Sequence, residues 1–292
     1  MRGVLLRGVG GFYYALDEQG GIQTIRAQGK LRKERMKPKV GDIVQMTPGN
    51  DDEHGWILSI EQRRNELTRP PVANLDVVVL VVAAATPDPD LLLADRMLQI
   101  ARRAGIPAQL VVNKCDLNPQ RAEDILRQYA GAEVAPIAVS AARGIGLDIL
   151  KARLSGRVHA LAGQSGAGKS TLINALYGLN TQTGSLSRKI ERGKNTTRHC
   201  ELIPLADGGM VLDTPGFSLL ESDVFDPVEL KDCWPEFTPY EGQCFFQPCY
   251  HDREPRCAVL NAVEGGEISL ERHERYQALL AEMREQWRNR YG

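Results

Sequence analysis

Residues 163–171, Gly163-Gln164-Ser165-Gly166-Ala167-Gly168-Lys169-Ser170-Thr171, have the spacing of a loop that wraps phosphate. The apolar run Val158–Ala162 precedes them, and a helix is predicted from Lys169. The glycines let backbone N–H groups curl around phosphate oxygens. The helix start adds the positive end of a dipole. Lys169 can reach the terminal phosphates, and Ser170 can ligate Mg²⁺. Asp213-Thr214-Pro215-Gly216 follows the apolar Met210-Val211-Leu212. Alone, those four residues would be an ordinary turn. Behind a phosphate loop, Asp213 suits magnesium, and the Gly216 N–H suits the terminal phosphate.

Asn113-Lys114-Cys115-Asp116 follows the apolar run Ala108–Val112. A carboxylate there can accept two hydrogen bonds from the N1–H and N2–H₂ edge of guanine. Adenine would leave that carboxylate unpaired, so it is rejected. This argues against an ATPase or kinase. The Lys114 stem can lie over the base, and Asn113 can tie the loop to the phosphate loop. Ser140-Ala141-Ala142, after the next apolar run, can offer backbone N–H to guanine O6.

These loops need a sheet to hold them. Leu75–Ala85 reads as a buried strand, 91–104 as a helix, 120–129 as a second helix, Val134–Val139 as a strand and Leu147–Leu154 as a short helix. Continuous apolar strands alternating with helices predict an α/β fold with a mostly parallel sheet covered on both faces. Upstream, five short β-type runs separated by turns predict a small barrel, and Arg69-Pro70-Pro71 reads as a stiff linker. Downstream, the chain turns acidic, then Cys-rich, then helical over 270–290, with Tyr276, Leu279, Leu280, Met283 and Trp287 at helical spacing. The predicted parts are 1–70, 71–220 and 221–292.

With 36 Lys+Arg against 37 Asp+Glu the net charge is −1, and 42% of residues are hydrophobic. These globular values exclude disordered, collagen-like and coiled-coil chains. The longest apolar run, Val77 to Ala85, is too short to span a membrane. No secretory signal is visible, so six Cys read as reduced thiols of a cytoplasmic protein, with a metal site open. Charge is uneven along the chain. Between Ile22 and Val40 stand seven bases, among them Arg26, Lys30, Arg32, Lys33 and Arg35, and one acid. Such a run is either a polyanion-facing surface or a solvated face.

Cys244, Cys249, His251 and Cys257 make a Cys₃His set. Its spacing is compatible with a closed structural zinc site and equally with buried free thiols. Cys115, Cys200 and Cys233 stand apart and read as core or loop residues.

Asn113–Asp116 and Ser140–Ala142 precede the phosphate loop here, and Thr196-Thr197 and Asp213–Gly216 follow it. That is a circular permutation of the ordinary guanine-nucleotide order, which a compact sheet tolerates because its termini lie close together. It places the switch next to the C-terminal part, so a nucleotide-driven movement can be passed on mechanically. With this order, residues 67–74 (Leu-Thr-Arg-Pro-Pro-Val-Ala-Asn) and 192–198 (Arg-Gly-Lys-Asn-Thr-Thr-Arg), the whole chain resembles the bacterial ribosome small-subunit-dependent GTPase A (RsgA/YjeQ) family.

The resemblance implies an OB-fold barrel for 1–70 and a single zinc ion held by Cys244, Cys249, His251 and Cys257. It implies GTP hydrolysis to GDP with Mg²⁺, stimulated by the small ribosomal subunit late in its maturation, and binding to that subunit's rRNA. We expect a monomer without membrane contact. Thr197 is the implied switch ligand for Mg²⁺, beside Ser170 and Asp213. The family usually carries His immediately before the Thr pair; here it is Asn195. Phe217 occupies the place of a water-orienting Gln, and His199 could substitute if the loop folds back. Asn195, Thr197 and Gly216 are the candidate catalytic residues, and slow intrinsic hydrolysis is expected. An alternative is a GTP-dependent RNA-binding module with little hydrolysis. Arg188, Lys189, Arg192, Lys194 and Arg198 make the switch basic and suited to RNA phosphates.

Overall fold

The computed structural model describes residues 1–29, 36–49, 54–179, 200–213 and 224–290. Strands β1 (Arg2–Val9), β2 (Phe12–Asp17), β3 (Ile22–Ala27), β4 (Ile43–Thr47) and β5 (Gly55–Ile60) close a barrel in the order β1-β2-β3-β5-β4. All its pairs are antiparallel except β3 with β5. Alternation along each strand sends Leu5, Ala15, Ile25, Val44, Met46 and Ile57 inward, where all six are fully buried. This is an OB-like barrel.

The expected linker is instead a bolted corner. Residues 69–71 form the turn of a small hairpin, β6 (Glu66–Leu67) with β7 (Val72–Ala73). Two asparagines hold it. Asn65 bonds both the N–H and the C=O of Leu75. Asn74 accepts from the Arg64 N–H and donates to Gly41 O in the barrel, each at 2.9 Å.

The middle of the chain alternates as predicted: β8 (Val77–Ala83), α1 (Leu91–Arg103), β9 (Ala108–Asn113), α2 (Pro119–Gln128), β10 (Ile137–Ala138), α3 (Leu147–Leu154), β11 (Val158–Ala162), α4 (Lys169–Tyr177), β12 (Glu201–Pro204) and β13 (Met210–Asp213). The sheet order is β10-β9-β8-β11-β13-β12, parallel except for β12 at the edge. Every residue of β8 is buried. Val78, Leu80 and Val82 join Met97 and Leu98 of α1 and Ile125 of α2 on one face. Val77, Val79 and Val81 join Leu150 of α3 and Leu172 of α4 on the other. Each such Leu or Met contributes about 1.5–3 kcal/mol on burial. Asp90 caps α1 by accepting from the Leu93 N–H, and Asn118 caps α2 ahead of Pro119.

Two departures from the expected strands have local causes. β10 is two residues long because Pro136 has no N–H for a ladder and Ala135 sits at φ +41°. β12 was not foreseen, because Glu201-Leu-Ile-Pro is too short to show a period.

The C-terminal part has two 3₁₀ turns (Pro227–Cys233 and Pro235–Tyr240), α5 (Ala258–Glu264) and α6 (Leu270–Asn289). Its core is Leu230, Trp234, Phe237, Cys244, Cys249, Cys257, Tyr276, Leu280 and Met283. The α6 stripe is therefore core for Tyr276, Leu279, Leu280 and Met283. Cys233 is buried, and Cys115 and Cys200 are half-buried.

This part docks on α1. Fully buried Asp95 accepts from Arg272 and Arg275 of α6, and Arg272 also reaches Glu236. Burial opposes a charge on Arg272, but Asp95 and Glu236 outweigh it and push its pKa above the ordinary value. Arg96–Glu282 (2.7 Å) and Arg103–Glu229 (2.8 Å) flank the contact. Among the described residues, no helix is long and apolar enough to cross a membrane.

Candidate functional site

The carboxyl ends of β9, β10 and β11 carry three of the motif loops to one rim, and Asp213 ends the neighbouring β13. The strand order reverses there, since β8 leads through β9 to β10 on one side and the chain returns to β11 on the other. Open parallel sheets bind ligands at such a crevice.

The phosphate loop leaves β11 through Gly163 at φ +135°; a Cβ there would lie 2.1 Å from Val81 O. It ends at Gly168, φ +97°, where a Cβ would lie 2.3 Å from Asn113 Nδ2. Only glycine meets both demands. Gln164, Ser165, Gly166 and Ala167 lie between. Lys169 and Ser170 then open α4, followed by Thr171. Lys169 Nζ donates to Gly163 O (2.6 Å) and Gln164 O (2.9 Å), so the ammonium lies against its own loop. Burial lowers its pKa.

Asn113 joins three loops. Its Nδ2 donates to Ala167 O at 2.9 Å, and its Oδ1 accepts from the Ala141 N–H at 3.1 Å. The Ala141 N–H, expected to face a base, is thus spent on Asn113. Lys114, at φ +61°, donates to Gly166 O at 2.8 Å. Asp116 stands 3.9 Å from Arg143, and Ser140 Oγ accepts from the Arg143 N–H. Asp213 ends β13, and burial raises its carboxyl pKa.

The motifs did not reveal the loop after β8. Thr86 O accepts from Lys114 Nζ, Pro87 packs on Gly166, and the Asp90 N–H donates to Gln164 Oε1 at 3.2 Å. Its only signal was position, a Pro-rich run (Thr86-Pro-Asp-Pro-Asp90) at a strand end. Asn195, Thr197, Gly216, the neighbouring switch residues, and Lys30, Arg32, Lys33 and Arg35 lie outside the described residues. Arg26 lies on the barrel, apart from this rim.

The second site is the Cys₃His set. All four side chains are buried, with ligand atoms within 4.8 Å of one another. Cys244 Sγ and Cys249 Sγ lie 3.8 and 3.7 Å from Cys257 Sγ. His251 Nδ1 lies 3.6 Å from Cys244 Sγ and 3.3 Å from Cys257 Sγ. A tetrahedrally held ion with bonds of about 2.3 Å to sulfur and about 2.0 Å to nitrogen spaces those atoms by about 3.8 and 3.5 Å. The donor set therefore fits a metal ion. Burial lowers the His251 pKa, which keeps the ring neutral with a lone pair to give. His251 Nε2 lies 3.5 Å from Glu241 Oε1. His251 itself holds φ +54°.

Residues 60–223 match the family described as RsgA GTPase, and residues 2–57 match the RsgA N-terminal domain. The chain belongs to the RsgA GTPase family. It is 43% identical over 290 residues to a small ribosomal subunit biogenesis GTPase RsgA of Geobacillus thermodenitrificans, covering 97% of each chain. It is 39% identical over 297 residues to one of Agathobacter rectalis, covering 97% of this chain and 98% of that one. The crystal structure of YjeQ from Thermotoga maritima superposes with a TM-score of 0.83 at 34% identity, covering 97% of this chain and 98% of that chain. YloQ, a circularly permuted GTPase, superposes with a TM-score of 0.80 at 32% identity, covering 98% and 95%.

Proposed function

We propose that the protein hydrolyses GTP to GDP and phosphate and does so on the small ribosomal subunit, in its biogenesis and in the cytoplasm. The observation that carries the nucleotide reading is Asn113, which locks the base loop, the phosphate loop and the Ser140 turn into one rim. The relatives' names support the ribosomal partner.

In this reading Asp116 accepts from the guanine edge, with Lys114 along the base and the Ser140-Ala141 turn at its O6 side. Residues 163–171 wrap the phosphates, and Lys169 swings from its loop carbonyls onto the terminal phosphates. Ser170, Thr197 and Asp213 would hold Mg²⁺, which would neutralise charge on the phosphates. Asn195 and Gly216 are the switch residues that would act at the terminal phosphate. Cys244, Cys249, His251 and Cys257 would hold one structural zinc. The labour divides among a barrel (1–70) that meets RNA with its basic run, a GTPase part (71–220) and a zinc part (221–292), acting as a monomer.

Single-turnover GTP hydrolysis, with and without purified small subunits, tests this for the chain and for Asn195→His. Subunits should raise the rate of the unaltered chain at least tenfold. A rate indifferent to subunits in both proteins would sink the proposal. A response confined to Asn195→His would instead make the chain a GTP-dependent binding module.

A further inference from the structure

The seam between the GTPase part and the C-terminal part opens into a cleft that neither the nucleotide rim nor the Cys₃His set uses. The end of α2 and the turn after it form one wall. The second 3₁₀ turn, the turn between α5 and α6, and the start of α6 form the other. The cleft has a volume of about 490 Å³, within the range of small-molecule sites. Four carboxylates line it, Asp124 from the GTPase part and Glu236, Glu267 and Glu271 from the C-terminal part, against one base, Arg127. Arg127 is already engaged with Asp124 at 2.5 Å. The carboxyl end of α2 adds the negative pole of its dipole, and the positive pole of α6 is offset by Glu271 in its first turn. Glu236 is the buried member. Its side chain is 7% exposed, and a Cβ on Gly131 would lie 3.3 Å from the Glu236 Cβ, so it is wedged in the seam. Its Oε1 accepts from Arg272, while Oε2, equally sheltered, accepts from no described residue. A buried carboxylate oxygen left so is costly, and it points to a positively charged guest.

We propose that this cleft binds a linear polyammonium cation, a short flexible chain with two or more amine nitrogens charged at neutral pH. Each primary ammonium end offers three donors and no acceptor, which suits a lining of carboxylates. The arrangement disfavours a metal ion. Among the described residues, the Cys₃His set is the one group of acids, thiols and imidazoles whose ligand atoms close on a single point. The carboxylates of the cleft are spread along its walls, and charges spaced along a chain can meet them separately. The Tyr240 hydroxyl donates to Glu267, and the Ser269 hydroxyl donates to Glu271, so both carboxylates are already oriented. One ammonium meets Glu236 and another meets the outer carboxylates. Because Asp124 belongs to α2, the guest ties the GTPase part to the C-terminal part. The inference stands apart from the GTPase reading, since no residue of the nucleotide rim lines the cleft.

The test titrates spermidine into the full, nucleotide-free chain by calorimetry at fixed ionic strength, with n-butylamine, Mg²⁺ and trilysine amide in parallel. Spermidine should bind at one site and at least about tenfold more tightly than butylamine, because its ammonium groups are linked. It should also raise the urea midpoint of the chain. Glu236→Gln should weaken spermidine about 10- to 150-fold, the worth of one hydrogen bond to a charged group. That variant also alters the Arg272 pair, so Glu267→Gln combined with Glu271→Gln serves as the second. Both of those residues are exposed, and the double variant should weaken spermidine on the order of tenfold. GTP affinity should match that of the unaltered chain in both variants, which shows that they fold. Butylamine bound as tightly as spermidine, or Mg²⁺ displacing spermidine at equal ionic strength, overturns the site. So does spermidine binding that neither variant changes. Trilysine amide bound more tightly than spermidine would give the cleft to a protein segment and overturn the small-molecule reading.

Discussion

The nucleotide rim and the Cys₃His cluster solve opposite packing problems. The rim stands on a finished core. Seven buried residues of β8, flanked by helices on both faces, hold the loops whether or not anything occupies them. In the C-terminal part the site is inside the core. Cys244, Cys249 and Cys257 lie among Trp234, Phe237 and Tyr276, and much of the backbone around them is 3₁₀ turn. Burial raises the Cys249 and Cys257 thiols, so ionised sulfur there needs a cation to hold it. Ligand loss should therefore idle one region and unfold the other.

Losing the proposed zinc should break the comparison hardest. Structural zinc contributes about 10–16 kcal/mol of apparent binding free energy that is also folding free energy. Chelation, or Cys257→Ala, should expose Trp234 and melt the C-terminal part, read by tryptophan fluorescence, while GTP affinity changes little. Equal loss in both regions would mean that they fold as one unit.

Asp116→Asn should do the converse. Two hydrogen bonds to a charged acceptor are worth about 3–6 kcal/mol together, or about 150- to 20,000-fold in GTP affinity. Calorimetric titration should show that loss. Xanthosine triphosphate, which offers an acceptor where guanine has an amine, should bind the variant better than GTP does.

Asp95→Ala probes the joint between the regions. It leaves Arg272 and Arg275 buried without their shared partner, at a cost of about 3–5 kcal/mol. Urea denaturation should separate into two transitions, with nucleotide affinity nearly unchanged. Asn113→Ala should give the smallest effect. It removes the two bonds that align the loops, so GTP affinity should fall by about 5- to 150-fold with no change in the melting of the C-terminal part.

What could be read from the chain alone was local in sequence. The buried run of β8, the rim motifs and their permuted order all lie within short windows, where side-chain period and backbone chemistry act directly. The RsgA family followed from them, and the small barrel followed from five short β-type runs separated by turns. What lay far apart was decided only by folding. Asp95 is a lone acid in a helix until α6, some 180 residues on, brings Arg272 and Arg275 to it. Asn65 and Asn74 look like loop residues until they bolt the barrel to the sheet. The thiols became a metal-shaped cluster only when a 13-residue loop closed on itself. A contact between distant segments depends on closure and register, which the pattern of neither segment contains.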